Sequence, residues 1–136
     1  MRISASVRNE GSVHEVAVAT AGSQRPLAIP AKEGGGGSAV NGGEFLMLAL
    51  ATCYCNDLYR EARRLGLVLE AVEVEASATF AAVGLAASDI RYRARIRSPE
   101  AAEKIDQLLR ETDAVAEVHN TLRAPHAVCR EPWPRA

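Results

Sequence analysis

The stretch Asn41-Gly42-Gly43-Glu44-Phe45-Leu46-Met47-Leu48-Ala49-Leu50-Ala51-Thr52-Cys53 decides the fold of this chain. Asn41 offers a side-chain oxygen to the free amides of a helix start, and Glu44 stands where a capping-box partner reaches back. The pattern predicts a helix from about Gly42 to Leu65, closed by Gly66 as its C-cap. The front half, Phe45 to Ala51, is apolar all round, which in so short a chain places it at the centre of the molecule or of a dimer. The back half is amphipathic. At about 100° per residue, Cys55 shares a face with Leu58, Tyr59, Ala62 and Leu65, whereas Cys53 falls with Asn56, Asp57, Arg60 and Arg64.

Cys53 therefore lies at a seam between buried and polar surface, and Cys55 on the core stripe. That makes Cys53 the better candidate nucleophile. Its thiolate needs a cationic neighbour, and Arg60 sits about two turns away, so a basic residue from elsewhere in the fold is expected. Free cysteine is also among the residues most often buried, and periodicity alone leaves that structural role open. Residues two apart on a helix do not face each other, so a Cys53–Cys55 disulfide would require unwinding.

Before the helix, Arg2–Val7 and Val13–Ala19 alternate polar and apolar residues around the turn-forming Arg8-Asn9-Glu10-Gly11-Ser12, which predicts a hairpin. A third short strand is expected around Leu27–Ile29, followed by an internal loop over Glu33-Gly34-Gly35-Gly36-Gly37-Ser38. After the helix, Val68–Phe80 and Ile90–Arg97 alternate as two long strands, and antiparallel pairing would set a Glu row against an Arg row. Ser98 and Pro99 read as the cap and first residue of a second helix ending near Thr112, with Ala102, Ile105, Leu108 and Leu109 buried. A short helical segment over Ala114–Thr121 and a last strand near Ala127–Arg130 complete the expected order.

At 136 residues and 48 % hydrophobic, the chain suits one domain spanning residues 1–136. Sixteen basic and 17 acidic residues leave a net charge of −1, which offers no footprint for nucleic acid or an anionic membrane. The 4 % aromatic content argues against base-stacking platforms. The apolar run Phe45–Cys55 falls well short of the roughly 20 residues that cross a bilayer, and Met1–Val7 lacks the layout of an export signal. Three cysteines, an odd number, fit reduced thiols in a cytoplasm. Cys53, Cys55 and Cys129 contain no CxxC pair, and His14, His119 and His126 show no ligand spacing, so neither a metal nor another cofactor is expected. His119 could assist a thiol, although a histidine near a helix end more often caps or faces solvent.

The quoted stretch resembles the signature of the OsmC/Ohr family, in which a Gly-rich loop leads into an apolar helix carrying a Cys. The predicted order of elements follows that family across nearly the whole chain. The resemblance implies an α+β fold of two small antiparallel sheets packed around a long central helix, in a strand-exchanged, intertwined homodimer. It also implies thiol peroxidase chemistry on organic hydroperoxides. Carried over residue by residue, Cys53 takes the peroxidatic place and Arg8, in the first hairpin turn, is the nearest match to the catalytic Arg. Glu44 falls where many OsmC-like members carry Glu; the Ohr-type position is one earlier and here is Gly43.

One departure is decisive for the cycle. Aligning Thr121-Leu122 with the family's Thr-Leu or Ala-Leu pair puts Ala116 where the resolving Cys should stand, with Glu117-Val118-His119-Asn120 replacing the stretch after it. Cys55 could resolve Cys53 only if the helix opened, and Cys129 only if the last strand passed close by; otherwise an external dithiol must reduce the sulfenic acid. The sequence thus points to a cytoplasmic reductase of organic hydroperoxides acting in oxidative stress defence, with Met47 and Leu50 contacting the alkyl part. Its alternative is a non-catalytic dimer that binds a hydrophobic small molecule in an interfacial pocket.

Overall fold

Two tight turns build the first sheet. In the computed structural model, which describes residues 1–134, β1 (Ile3–Glu10) pairs antiparallel with β2 (Val13–Thr20), and the partners Glu10 and Val13 leave only Gly11-Ser12 in the loop. Gly11, at φ +58°, takes the first central position, where the hairpin twist requires a positive φ. Arg8 is consequently a strand residue opposite Glu15, not a turn residue as expected, because glycine lets the chain reverse in two residues.

The next reversal, Ala21-Gly22, has positive φ at both positions, so β3 (Ser23–Leu27) begins at once, earlier than the expected Leu27–Ile29. Pro26 lies within it, opposite Ala17, and is tolerated because β3 is an edge strand. The glycine run closes as an internal loop: Ala31 bridges Ser38, and the Lys32 amide donates to the Gly37 carbonyl at 2.8 Å.

Residues 1–46 form one compact unit and Met47 onward a second. α1 (Gly42–Leu65) starts in the first unit with the expected reciprocal cap: the Glu44 amide donates to Asn41 Oδ1 at 2.9 Å, and the Asn41 amide to Glu44 Oε2 at 2.8 Å. It ends on Gly66, at φ +70°, with the Leu67 amide bonded to the Ala62 carbonyl.

In the second unit, β4 (Ala71–Thr79) pairs antiparallel with β5 (Ser88–Arg97). The register sets Glu73 against Arg95 and Glu75 against Arg93, and both pairs form ion pairs on the exposed face. The opposite face, with Val72, Val74, Tyr92, Ala94 and Ile96, packs on a core of Tyr54, Leu58, Ala62, Leu108 and Ala116. α2 (Ala102–Val115) and α3 (Glu117–Arg123) follow.

α2 starts later than expected because the Ser98 hydroxyl donates to the Val68 carbonyl at 2.6 Å, tying the chain to the segment that leads into β4 instead of capping a helix. It runs on to Val115 because Thr112 is fully buried and continues the stripe of Leu108, whereas Ala102 is exposed. The strand expected near Ala127–Arg130 does not form: residues 125–134 have no regular secondary structure and are exposed, and Pro125, Pro132 and Pro134 withhold donors that a ladder needs. The last two residues of the expected domain span, Arg135 and Ala136, lie outside the described residues. Among the described residues no helix is long and apolar enough to cross a membrane.

Candidate functional site

The buried face of α1 is not the one that its apolar periodicity marks. Leu50, Tyr54, Asp57, Leu58, Glu61 and Ala62 are buried, so the face turned inward includes two carboxylates, while Tyr59 is exposed and Cys55 only half-buried. Asp57 and Glu61 are 4 % and 7 % exposed. Such burial holds only if the charges are paired. Arg60 meets Asp57 at 2.8 Å and Glu61 at 3.2 Å, and Arg64 bridges Glu61 and Glu111.

Cys53, half-buried, stands at the edge of this network. Its Sγ donates to Asp57 Oδ2 at 3.4 Å, one helical turn on, and lies 4.0 Å from Glu117 Oε2 at the start of α3. Arg60 also reaches Glu117, at 3.4 Å, so one guanidinium holds both carboxylates that touch the thiol without touching the sulfur itself. Burial pushes the Cys53 thiol above its ordinary value; the backbone amide of Val118 works in the opposite direction, and Asp57 and Glu117 add to the rise. Burial likewise raises Asp57, opposed by its bonds to Cys53 and Arg60. The cationic neighbour expected for Cys53 is thus replaced, within this unit, by two anionic ones.

Sequence reasoning missed Asp57 and Glu117 as partners of the thiol. Asp57 was readable at the i+4 spacing from Cys53, but Glu117 comes from 64 residues away and carries no local signal. Cys and His spacing gives no metal-ligand pattern, but the fold gathers Cys53, Asp57 and Glu117, whose donor atoms all lie within 4.8 Å of one another. One soft and two hard donors could hold a divalent ion, in competition with Arg60 for the carboxylates.

The other expected site residues are dispersed. Arg8 pairs with Glu15 at 3.1 Å and with Glu10 in the first sheet. Glu44 is engaged in the helix cap. Cys55 and Cys129 are free thiols, Cys129 exposed in the segment after α3. Met47 is half-buried and Leu50 fully buried. Ala116, at the position aligned with the missing cysteine, is fully buried at the junction of α2 and α3, next to Glu117, whose carboxylate lies 4.0 Å from Cys53 Sγ.

His119 is neither a cap nor a surface residue. It is 2 % exposed and lies edge-on to Tyr92, with ring centroids 4.3 Å apart, and tilted against Tyr54 at 5.3 Å. Burial drives its imidazole below the usual histidine range, with Arg123 adding to the shift and Asp113 opposing it.

Comparison with known proteins places this geometry in context. The family model described as OsmC-like protein matches residues 35–129. The fold resembles an OsmC-like protein from Mycoplasma pneumoniae at a TM-score of 0.63 and 19 % identity, covering 90 % of this chain and 86 % of that one. An organic hydroperoxide resistance protein from Legionella pneumophila aligns at 0.59 and 18 %, over 90 % of each chain. A further hydroperoxide resistance protein, from Elizabethkingia anophelis, aligns at 0.61 and 16 %, over 90 % and 89 %. No curated protein matches.

Proposed function

Because the chain belongs to the OsmC-like family, we propose that it reduces organic hydroperoxides by a one-cysteine cycle centred on Cys53, in a reducing cytoplasm. The observation that carries this reading is the setting of Cys53, a half-buried thiol that lies at the edge of the Asp57–Arg60–Glu117 network instead of inside the apolar core. That placement leaves the sulfur within reach of a peroxide, as a reactive thiol requires. The names of the Legionella and Elizabethkingia relatives, both hydroperoxide resistance proteins, agree with it.

In the cycle the thiolate attacks the O–O bond. A sulfur–oxygen bond forms, the O–O bond breaks, and the alkoxide leaves as the alcohol after taking up a proton. Cys53 is then a sulfenic acid, oxidised by two electrons. An external dithiol displaces water to form a mixed disulfide, and its second thiol releases Cys53 as the cyclic disulfide departs. Arg8 is assigned the guanidinium that orients the peroxide, which requires it to leave Glu10 and Glu15. Glu44 remains a helix cap, and Leu50, one turn before Cys53, is assigned contact with the alkyl part.

Reduced protein treated with one equivalent of cumene hydroperoxide, then analysed by mass spectrometry with a sulfenic-acid trap, tests this cycle. Gain of one oxygen at Cys53, trapped there and absent in Cys53→Ser, is expected. Loss of two hydrogens, as an internal disulfide to Cys55 or Cys129, would show a two-thiol cycle instead. An unmodified Cys53 would end the peroxidase reading.

We also propose a homodimer as the working form. Ile3 and Val7 on β1 are 68 % and 64 % exposed, and Leu48 in the apolar half of α1 is exposed too, more large apolar surface than a lone chain keeps in water. Light scattering should give twice the 14.5 kDa chain mass, and a single-chain mass at micromolar concentration would refute the dimer.

A further inference from the structure

Where the start of α3 meets α1, three side chains of metal-binding type converge: Cys53, Asp57 and Glu117. The Cys53 sulfur lies 3.4 Å from Asp57 Oδ2 and 4.0 Å from Glu117 Oε2. A tetrahedral ion of the zinc kind, about 2.3 Å from a thiolate and about 2.0–2.2 Å from a carboxylate oxygen, holds its sulfur and oxygen ligands about 3.6 Å apart. The two spacings bracket that edge. Glu117, whose side chain is 69 % exposed, has the freedom to close the remaining gap.

Arg60 leaves the inner oxygens open. It meets Asp57 through Oδ1 and Glu117 through Oε1, so the other oxygen of each carboxylate is the one turned to the sulfur. Asp57 is buried, and among the described residues its Oδ2 has no hydrogen-bond donor except the Cys53 thiol. The charge balance is a separate pointer to a cation. Arg60 and Arg64 face four carboxylates, Asp57, Glu61, Glu111 and Glu117, so the network is negative even before the thiol ionises. A divalent ion offsets that excess; it competes with Arg60 through charge and not for the same oxygens.

We propose that Cys53, Asp57 and Glu117 bind a borderline-soft, tetrahedral divalent ion of the zinc kind, with water as its fourth ligand. The sulfur sets the selectivity, because Mg²⁺ and Ca²⁺ take oxygen ligands in larger shells. On binding, the S–H bond breaks and its proton passes to solvent, a metal–sulfur bond forms, and the ion gives up waters in exchange for the two carboxylates. The sulfur is then engaged, which withholds Cys53 from electrophiles. No electron moves, so a chelator returns the free thiol unchanged. Binding does not require that Cys53 reduce hydroperoxides, and it stands or falls separately from that cycle.

The probe is Co²⁺, whose absorption reports its own ligands, followed by Zn²⁺. Titrated into the reduced, chelator-treated protein, Co²⁺ should saturate at one ion per chain, with a near-ultraviolet thiolate-to-metal band and the strong visible bands of a tetrahedral centre. Zn²⁺ should abolish both and slow iodoacetamide alkylation of Cys53 about tenfold or more, whereas Mg²⁺ should change neither. Cys53→Ser should lose the near-ultraviolet band, and Cys55→Ser combined with Cys129→Ser should keep it. Glu117→Gln, a change on an exposed side chain, should weaken Co²⁺ about tenfold or more through the lost ligand. A wild type without the tetrahedral spectrum, a thiolate band that survives Cys53→Ser or vanishes with Cys55 and Cys129, or unaltered affinity in Glu117→Gln would each overturn the proposal. The wild-type spectrum and the Glu117 variant disturb no buried residue.

Discussion

Glu117→Gln is expected to speed the alkylation of Cys53 by iodoacetamide at pH 7 about threefold, and Glu117→Gln combined with Asp57→Asn about tenfold. Both carboxylates sit against the sulfur, and both hold the thiol in its protonated form. Removing one negative charge about 4 Å away raises the thiolate share on the order of tenfold. A less basic thiolate is also a weaker nucleophile, by roughly half of that factor on a logarithmic scale, which leaves the net gain near threefold per charge.

The pH dependence follows with its sign. A thiol displaced upward from 9.0 stays protonated further into the alkaline range, so wild-type alkylation and hydroperoxide reduction should both still be rising at pH 9. The curves of the variants should be displaced toward lower pH. Rates measured on the Cys53 peptide from pH 6 to pH 10 decide this; superimposable curves would mean that the carboxylates do not control the thiol.

Leu58→Ala is expected to destabilise the second unit by about 2–5 kcal/mol, the cost of a buried leucine and the void it leaves. Leu58 is fully buried in the cluster of Tyr54, Ala62, Leu108 and Ala116, which joins α1 to α2 and to the start of α3. The lost stability is a large share of the roughly 5–15 kcal/mol that holds an ordinary domain together. Urea unfolding should show the midpoint falling accordingly, and a loss under about 1 kcal/mol would mean that the helices close over the gap. The same core positions Glu117 and the Val118 amide beside Cys53, so a shift of the Cys53 alkylation rate should accompany the loss.

The sequence by itself determined what depends on neighbours along the chain. The Asn41–Glu44 cap, the Gly66 stop, the Glu73–Arg95 and Glu75–Arg93 rows and the internal glycine loop all form as read, because each is decided within a turn, a loop or a pair of alternating strands. Where two local signals competed, the reading went astray: Ser98 prefers the Val68 carbonyl to the helix cap, and the two-residue turn at Gly11 puts Arg8 in a strand.

Only the tertiary structure decided the surroundings of Cys53. Apolar periodicity marks the face that gains most from burial, yet Arg60 and Arg64 of α1 itself pair with Asp57 and Glu61 and allow them to be buried. That Arg60 and Arg64 also reach Glu117 and Glu111, that Glu117 reaches the thiol across 64 residues, and that His119 is enclosed between two tyrosines are long-range contacts. Contacts of that kind leave no periodic trace, because their partners are chosen by where whole elements pack rather than by the residues beside them.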